Sequence, residues 1–403
     1  MTTNNRNARQ VVIAGAGPVG CVTALILARA DVSVTILEAG EDLVPELRAS
    51  TFHPPTLDML DELGVTPQLV AQGLITPKIQ YRDLDDGLIV EFDHDLIKDR
   101  TNHPYRLQCE QFKLTRVIEK MLGEYPHAEI RFQSKFLGAL QDADAVTVSY
   151  ETPGGVEEIT CDYLIGSDGS RSAVRKSQEI EFEGFTYPEQ FVTVSVPDEV
   201  DEIVEDMGHV CYIAHPTEWC ALIHAPDYWR FLFPIPMEMT REEAFDDDFL
   251  QGRLQRLAPY DGNFSIELKT LYGVNQRVAK TYRTGRILLA GDSAHVNNPL
   301  GGMGMNGGIH DGINLAKKLA RMYQGGESDE LLDLYDRQRR PIAVEYVQAQ
   351  TIRNKKNLEE TDPKIRKQRQ EELRAVANDV EKTREILLQT SMISGLEKSE
   401  AIL

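Results

Sequence analysis

A short β-branched run, Val11-Val12-Ile13-Ala14, leads directly into Gly15-Ala16-Gly17-Pro18-Val19-Gly20, and an Ala- and Leu-rich stretch from Cys21 to Ala30 follows. The first run reads as a buried strand and the second as a helix. Val32-Ser33-Val34-Thr35-Ile36-Leu37 then reads as a second strand, ending at Glu38. A helix crossing between two such strands commits the chain to a parallel sheet. The glycines have separate tasks: Gly15 allows a tight turn, Gly17 lets backbone approach a pyrophosphate, and Gly20 permits close helix packing. The helix N-terminus adds free N–H groups and a favourable dipole. Glu38 is placed to accept hydrogen bonds from a ribose. Pro18 and Val19, between the glycines, and Ala39, after the acid, belong to the same expected site. A bare G-x-G-x-x-G is a weak signal, but between strand and helix, with an acid at this distance, it predicts a bound dinucleotide.

Composition narrows the partners. The 403 residues hold 43 Lys plus Arg against 64 Asp plus Glu, a formal net charge of −21. That balance argues against nucleic acid, which draws on a basic face. The 41% hydrophobic and 27% charged residues are ordinary for a globular protein. Cys21, Cys109, Cys161, Cys211 and Cys220 are scattered without a C-x-x-C pair, fitting neither a disulfide framework nor a zinc site. With no secretory signal in the polar first residues and no apolar run long enough to span a bilayer, the expectation is a soluble, cytoplasmic protein with no membrane partner.

Helices are expected over Pro55–Leu63 and Gln111–Leu122, and strand-like alternation over 128–150 and 162–166. Between about Phe182 and Leu271 alternating runs such as Gln190–Val196 and Trp229–Pro236 dominate, with an acidic helical stretch around Glu242–Leu257. This predicts an antiparallel sheet inserted into the nucleotide-binding domain. A buried strand at Arg286–Ala290, a Gly-rich loop and a helix from about Gly307 to Tyr323 follow. Beyond Asp329 the chain reads as charged helices; Leu387, Leu388, Met392 and Ile393 suggest an end that packs back on the body, and a solvated helical hairpin without chemistry is the favoured reading. Expected boundaries are 8–180 and 276–340 for two parts of the cofactor domain, 181–275 for a mostly β substrate domain, and 341–403 for a helical end.

Two later segments sharpen the cofactor. One runs Asp162-Tyr163-Leu164-Ile165-Gly166-Ser167-Asp168-Gly169-Ser170-Arg171-Ser172-Ala173-Val174-Arg175. The other runs Gly285-Arg286-Ile287-Leu288-Leu289-Ala290-Gly291-Asp292-Ser293-Ala294-His295 and continues Pro299-Leu300-Gly301-Gly302-Met303-Gly304-Met305-Asn306-Gly307-Gly308. With the glycine turn, these resemble the single-component FAD-dependent aromatic hydroxylases of the p-hydroxybenzoate hydroxylase type, from about Val11 to Pro341.

The resemblance implies a Rossmann-like α/β FAD-binding domain with an inserted antiparallel β-sheet and a helical C-terminal end. It implies that Asp292 is a buried acceptor for the ribityl chain, that Arg48 meets the pyrophosphate, and that Gln111 contacts the cofactor. Asp168 matches a second fingerprint associated with FAD and the nicotinamide donor, while an Asp-Gly after a strand taken alone reads as a turn. The loop from Pro299 through Gly302, Gly304, Met305 and Asn306 lies along the isoalloxazine, with the positive end of the following helix stabilising anionic reduced flavin. The implied reaction uses NADH or NADPH to reduce flavin and O₂ to form a C4a-hydroperoxyflavin, which hydroxylates an electron-rich ring such as a phenol, nitrophenol or hydroxypyridine. No metal is expected, because no H-x-x-x-H or facial triad stands in the sequence.

The substrate pocket is expected where the middle sheet faces the Pro299 loop, with Pro299 and His224 as catalytic candidates. His224 is the candidate base, since imidazole titrates near neutrality; a plain polar residue on a sheet face is the competing reading. Tyr212, Trp219, Phe231 and Phe233 line an aromatic pocket or fill the core. The family's carboxylate-clamping arginine is missing from Cys220–Pro226, favouring an uncharged or weakly acidic phenol, and Arg230 faces either pocket or solvent. His295 reads as loop scaffold. The acidic stretch after Glu38 leans toward NADH. A flavin reductase or epoxidase on the same scaffold and a non-catalytic flavin-binding sensor are the alternatives. The resemblance suggests a homodimer.

Overall fold

In the computed structural model, residues 10–43 and 49–403 are described. Arg48, expected at the pyrophosphate, lies outside them.

The first βαβ unit forms as its sequence requires. Strands Gln10–Ala14 and Ser33–Leu37 pair in parallel, and helix Pro18–Arg29 crosses between them. Proline at the helix start suits a position whose N–H has no helical acceptor. The sheet has six strands, ordered Arg283–Thr284, Ile287–Leu289, Tyr163–Gly166, Gln10–Ala14, Ser33–Leu37 and Ala128–Arg131. The segments around both later motifs thus end beside the glycine turn, at the C-terminal edge of a parallel sheet, where ligands of such folds bind.

The second large sheet has eight strands: His295–Val296, Leu268–Ala279, Phe182–Val196, Tyr228–Pro236, Cys220–Ala225, Val210–Ala214, Lys78–Asp83 and Gly87–Asp93. Its pairs are antiparallel except Val210–Ala214 with Lys78–Asp83. The sheet draws on more of the chain than the expected substrate segment. The hairpin at 78–93 and the strand at His295 join this sheet, so it is not confined to 181–275. At the expected boundary of 341 the chain stays helical, from Glu330–Ile342 through Ala343–Gln348 to Ala349–Leu358.

Each face of this sheet has its own core. On one side Cys220, Leu222, Trp229, Phe231 and Phe233 pack with Leu250 and Leu254 of helix Asp247–Leu257. On the other, Ala221, Tyr212, Trp219 and Leu232 pack with Leu300 of the glycine-rich loop and with Leu358, Leu387 and Ile393 of the C-terminal helices. The helical end is therefore more than a solvated hairpin: it closes the side of the sheet that meets the loop.

Candidate active site

The glycine turn divides into fold-serving and ligand-serving positions. Gly15 has φ +100°, and a Cβ there would lie 2.6 Å from the Ser167 carbonyl oxygen. A Cβ at Gly20 would lie 2.1 Å from the Gly15 carbonyl oxygen. Gly17 differs: it caps the helix, and a Cβ there would meet nothing within 4 Å. Bare backbone thus faces open space at a helix N-terminus, a cradle that suits a pyrophosphate. Glu38 holds the turn, accepting from the Ala16 N–H (2.8 Å) and the Gly40 N–H (2.9 Å). A carboxylate has further lone pairs for ribose hydroxyls. Val19 is a packing residue, because its methyl lies 2.8 Å from where a Cβ would stand on Gly291 and on Gly308. Pro18 opens the helix and Ala39 is exposed beside Glu38.

The later glycine-rich loop mirrors this arrangement. Gly301 (φ +108°) and Gly302 (φ +67°) turn the chain into helix Met303–Gly325. The helix therefore starts before Gly307, the expected position. Gly308 and Gly312 sit inside it and let it close on Val19 and Thr23 of the first helix. Pro299, Gly304 and Met305 are half-buried along the loop. Asp292 is exposed at its turn, where a buried acceptor was expected. Asn306 is fully buried, and its side chain is spent on the fold. It donates to the carbonyls of Thr51 (2.8 Å) and Gly302 (2.7 Å) and accepts from the His53 N–H (2.9 Å). Only its backbone is available to a cofactor.

Behind the loop stands a network absent from the sequence reading. Asp311 accepts from Arg339 Nε at 2.7 Å and lies 2.8 Å from His295 Nε2, and all three are buried. Burial pushes the Asp311 pKa up, but Arg339 and His295 outweigh it and hold it at about 2. The Gly291 N–H also points to this carboxylate (3.3 Å), fixing the motif turn from behind. An acid inside the glycine-rich first half of helix Met303–Gly325 was the available signal. Arg339, in the charged tail, offered none.

Asp168 is likewise committed to the fold. It accepts from the Ser172 hydroxyl (2.5 Å) and from the N–H groups of Ala173 (2.6 Å) and Val174 (3.0 Å), capping helix Ala173–Ser177. Arg175 then donates to the Ser293 carbonyl at 2.7 Å, so the second fingerprint braces the third. Gln111 begins helix Gln111–Leu122, its N–H bonded to the Ala49 carbonyl at 2.9 Å.

Strand alternation sorts the expected pocket residues. Tyr212 and Trp219 share the loop-facing core with Leu300. His224, Phe231 and Phe233 stand on the opposite face, where His224 stacks on Trp229 (4.3 Å, 10° between planes). Burial and the neighbouring His209 pull the His224 pKa down to about 4. An eight-stranded sheet separates it from the loop, which removes it as the base. Arg230 is settled as buried, on the same face as Leu232, and burial lowers its pKa.

The loop-facing side holds polar groups that the sequence did not mark. Arg106 is 2% exposed and donates to the Tyr212 hydroxyl at 3.1 Å, while its Nε–H has no hydrogen-bond partner among the described residues. Gln108 Nε2 and His53 Nδ1 are buried and equally unpartnered. His53 Nε2 lies 2.8 Å from the Gly301 carbonyl oxygen, and Gln108 accepts from Thr51, which flanks Gly302. With Nε2 donating to that carbonyl, His53 Nδ1 is an acceptor, and buried polar atoms left unpaired cost about 1–3 kcal/mol each. Their collection beside the loop, with the open cradle at Gly17, fits an extended polar cofactor. Cys220–Pro226 holds no arginine, and Arg106 and Arg230 bring guanidinium groups to this face from other strands.

A glycine cradle, an acid at the second strand and a second glycine-rich helix start define a dinucleotide-binding α/β protein. The chain belongs to the FAD binding domain family, whose model matches residues 8–350. It is 30% identical to para-nitrophenol 4-monooxygenase of Pseudomonas sp. (strain WBC-3), over 96% of each chain. It is 31% identical to 6-hydroxy-3-succinoylpyridine 3-monooxygenase HspB of Pseudomonas putida, over 94% of this chain and 96% of that one. Among solved structures, p-nitrophenol 4-monooxygenase PnpA from Pseudomonas putida DLL-E4 superposes with a TM-score of 0.92 at 30% identity, covering 96% of this chain and 98% of that one. The protein is an FAD-dependent aromatic monooxygenase. No helix among the described residues is long and apolar enough to cross a membrane.

Proposed function

We propose that this enzyme hydroxylates a small phenol or hydroxypyridine, the substrate class named for its nitrophenol and hydroxypyridine relatives. The observation that carries this reading is the buried Arg106–Tyr212 pair on the loop-facing side of the large sheet. Arg106 donates to the Tyr212 oxygen, which leaves the Tyr212 O–H to donate to a ring oxygen. A guanidinium beside that oxygen lowers the cost of its negative charge and so favours phenolate, the stronger nucleophile. Gly17, Glu38, Gln111, Asp292 and the backbone of Gly301–Asn306 would hold FAD. Bound FAD supplies oxygen activation at the expense of NAD(P)H. Trp219, Leu232 and Leu300 would exclude water from the ring.

The five cysteines are all buried and free, which suits a reducing compartment and supports a cytoplasmic enzyme. A homodimer is part of the same reading, checked by light scattering of the FAD-loaded protein. The central test is NAD(P)H consumption by that protein with 4-nitrophenol, other phenols, hydroxypyridines and benzoates, with products identified. Stimulated consumption and a ring-oxygenated product with a phenol or hydroxypyridine is expected. Stimulation by none of these, or by benzoates alone, would overturn the assignment.

A further inference from the structure

Strand alternation removed His224 from the flavin side and placed it in a cluster that the oxygenase reaction does not use. Asp201 lies in the first turn of the short helix Val200–Ile203. His209 immediately precedes strand Val210–Ala214, and His224 lies near the end of the neighbouring strand Cys220–Ala225. The His224 N–H donates to the His209 carbonyl at 2.8 Å, so the two histidines are tied through their backbones. One donor atom from each of the three side chains comes within 4.8 Å of the other two. His209 Nε2 and Asp201 Oδ2 are 3.6 Å apart, too far for a good hydrogen bond. Two donors each about 2.0–2.1 Å from one tetrahedral ion stand roughly 3.4 Å apart.

We propose that Asp201, His209 and His224 form a binding site for one divalent transition-metal ion of the Zn(II) type. The site lies on the face of the large sheet turned away from the flavin loop.

Three further observations support it. His224 Nδ1 and Asp201 Oδ1 are buried atoms with no hydrogen-bond partner among the described residues. The His224 ring is held by its stack on Trp229, and the His209 ring meets it edge-on at 4.9 Å. These contacts hold two imidazoles at one point, and neutral imidazole is the commonest metal ligand. The donor set is two nitrogens and one carboxylate, and all three residues are half-buried. Such a set suits zinc with water in the fourth position, whereas magnesium and calcium prefer all-oxygen sites. The ion would pin the segment from Val200 to His209 to two adjacent strands. No redox step is assigned to it.

The pattern is invisible in sequence, because the ligands come from a helix turn, a loop end and a strand without a short H-x-x-x-H spacing. The test uses full-length, tag-free, FAD-loaded protein stripped with chelator, titrated calorimetrically with Zn(II) and, as an absorbing probe, with Co(II). One ion per chain and visible Co(II) bands of tetrahedral intensity are expected. Asp201→Asn and His209→Gln, both at half-exposed positions, should each weaken binding by about 100-fold or more, beyond the cost of losing an outer partner. Zn(II) should raise Tm in wild type and leave it unmoved in the Asp201→Asn, His209→Gln double variant. Oxygenase turnover of the metal-free double variant should match wild type. Absence of binding, or equal binding by wild type and the double variant, would overturn the site.

Discussion

The two faces of the eight-stranded sheet come from the same strands and differ in what they can do. The loop-facing side combines Tyr81, Tyr212 and Trp219 with the buried guanidinium groups of Arg106 and Arg230, and Leu300 closes it. The far side is an aromatic core of Trp229, Phe231 and Phe233 against helix Asp247–Leu257, with His209, His224 and Asp201 at its margin. Residues one position apart in sequence therefore serve different purposes. Arg230 lies between Trp229 and Phe231, yet it shares no face with either. A residue type alone, even a histidine in the right strand, says nothing about chemistry until its side of the sheet is known.

The largest effect expected from this contrast is on acid stability. His53, His94 and His310 are buried and make few charge-compensating contacts. Burial depresses all three, His53 well below its ordinary value, His94 to about 4 and His310 to about 3. In the unfolded chain these rings protonate near pH 6.5, while the folded chain keeps them neutral. The unfolded state thus binds more protons below that pH, and stability falls as pH drops. At pH 5 each ring contributes up to about 2 kcal/mol of lost stability. Urea midpoints measured from pH 7.5 to pH 5 should fall steeply, and a flat profile would show that these rings take protons within the fold.

Next in size is Phe231→Ala, which empties the far-side core. A cost of about 3–5 kcal/mol is expected, with activity per folded, FAD-loaded molecule unchanged. A large loss of turnover without loss of stability would mean that the far face touches substrate after all. Arg106→Met makes the reverse case. It should lower kcat/KM by about 100-fold, near 2.7 kcal/mol, while FAD content holds. Activity within a factor of a few of wild type would remove Arg106 from the ring-oxygen site. The smallest effect is expected at His224→Asn, where turnover and its pH profile should stay within about twofold of wild type, a change under 0.5 kcal/mol. A shifted pH profile would restore the histidine as the base and collapse the distinction between the faces.

Much of the architecture was legible because its causes are local. The βαβ unit follows from β-branched runs flanking a glycine turn in which Gly15, by its φ and close contacts, and Gly20, by its close contacts, leave no room for a side chain. Helix Gln111–Leu122 spans the residues expected of it, and strand Tyr228–Pro236 differs from expectation by one residue at its start. Other expected site residues also have tasks within the fold. Asp168 caps a helix, and the Asn306 amide bonds to Thr51, Gly302 and His53. The hairpin Lys78–Asp83 and Gly87–Asp93 gave no sign that it would extend a sheet built mainly from residues beyond 180. Arg106, Asp311 and Arg339 were missed because each is an ordinary charged residue until its partners, distant in the chain, bury it.

By itself the sequence determined that a dinucleotide is bound and in what order the elements that bind it come, since glycine conformations, strand propensities and helix starts act over a few residues; FAD followed from the resemblance of the two later segments to a family. Only the tertiary structure decided which side chains of the large sheet meet the flavin loop and which turn away. Inward and outward positions alternate every residue along a strand, and the sign of that alternation is set by what packs on each face. Here the packing elements are a helix at 247–257 on one side and the Pro299 loop with the C-terminal helices on the other.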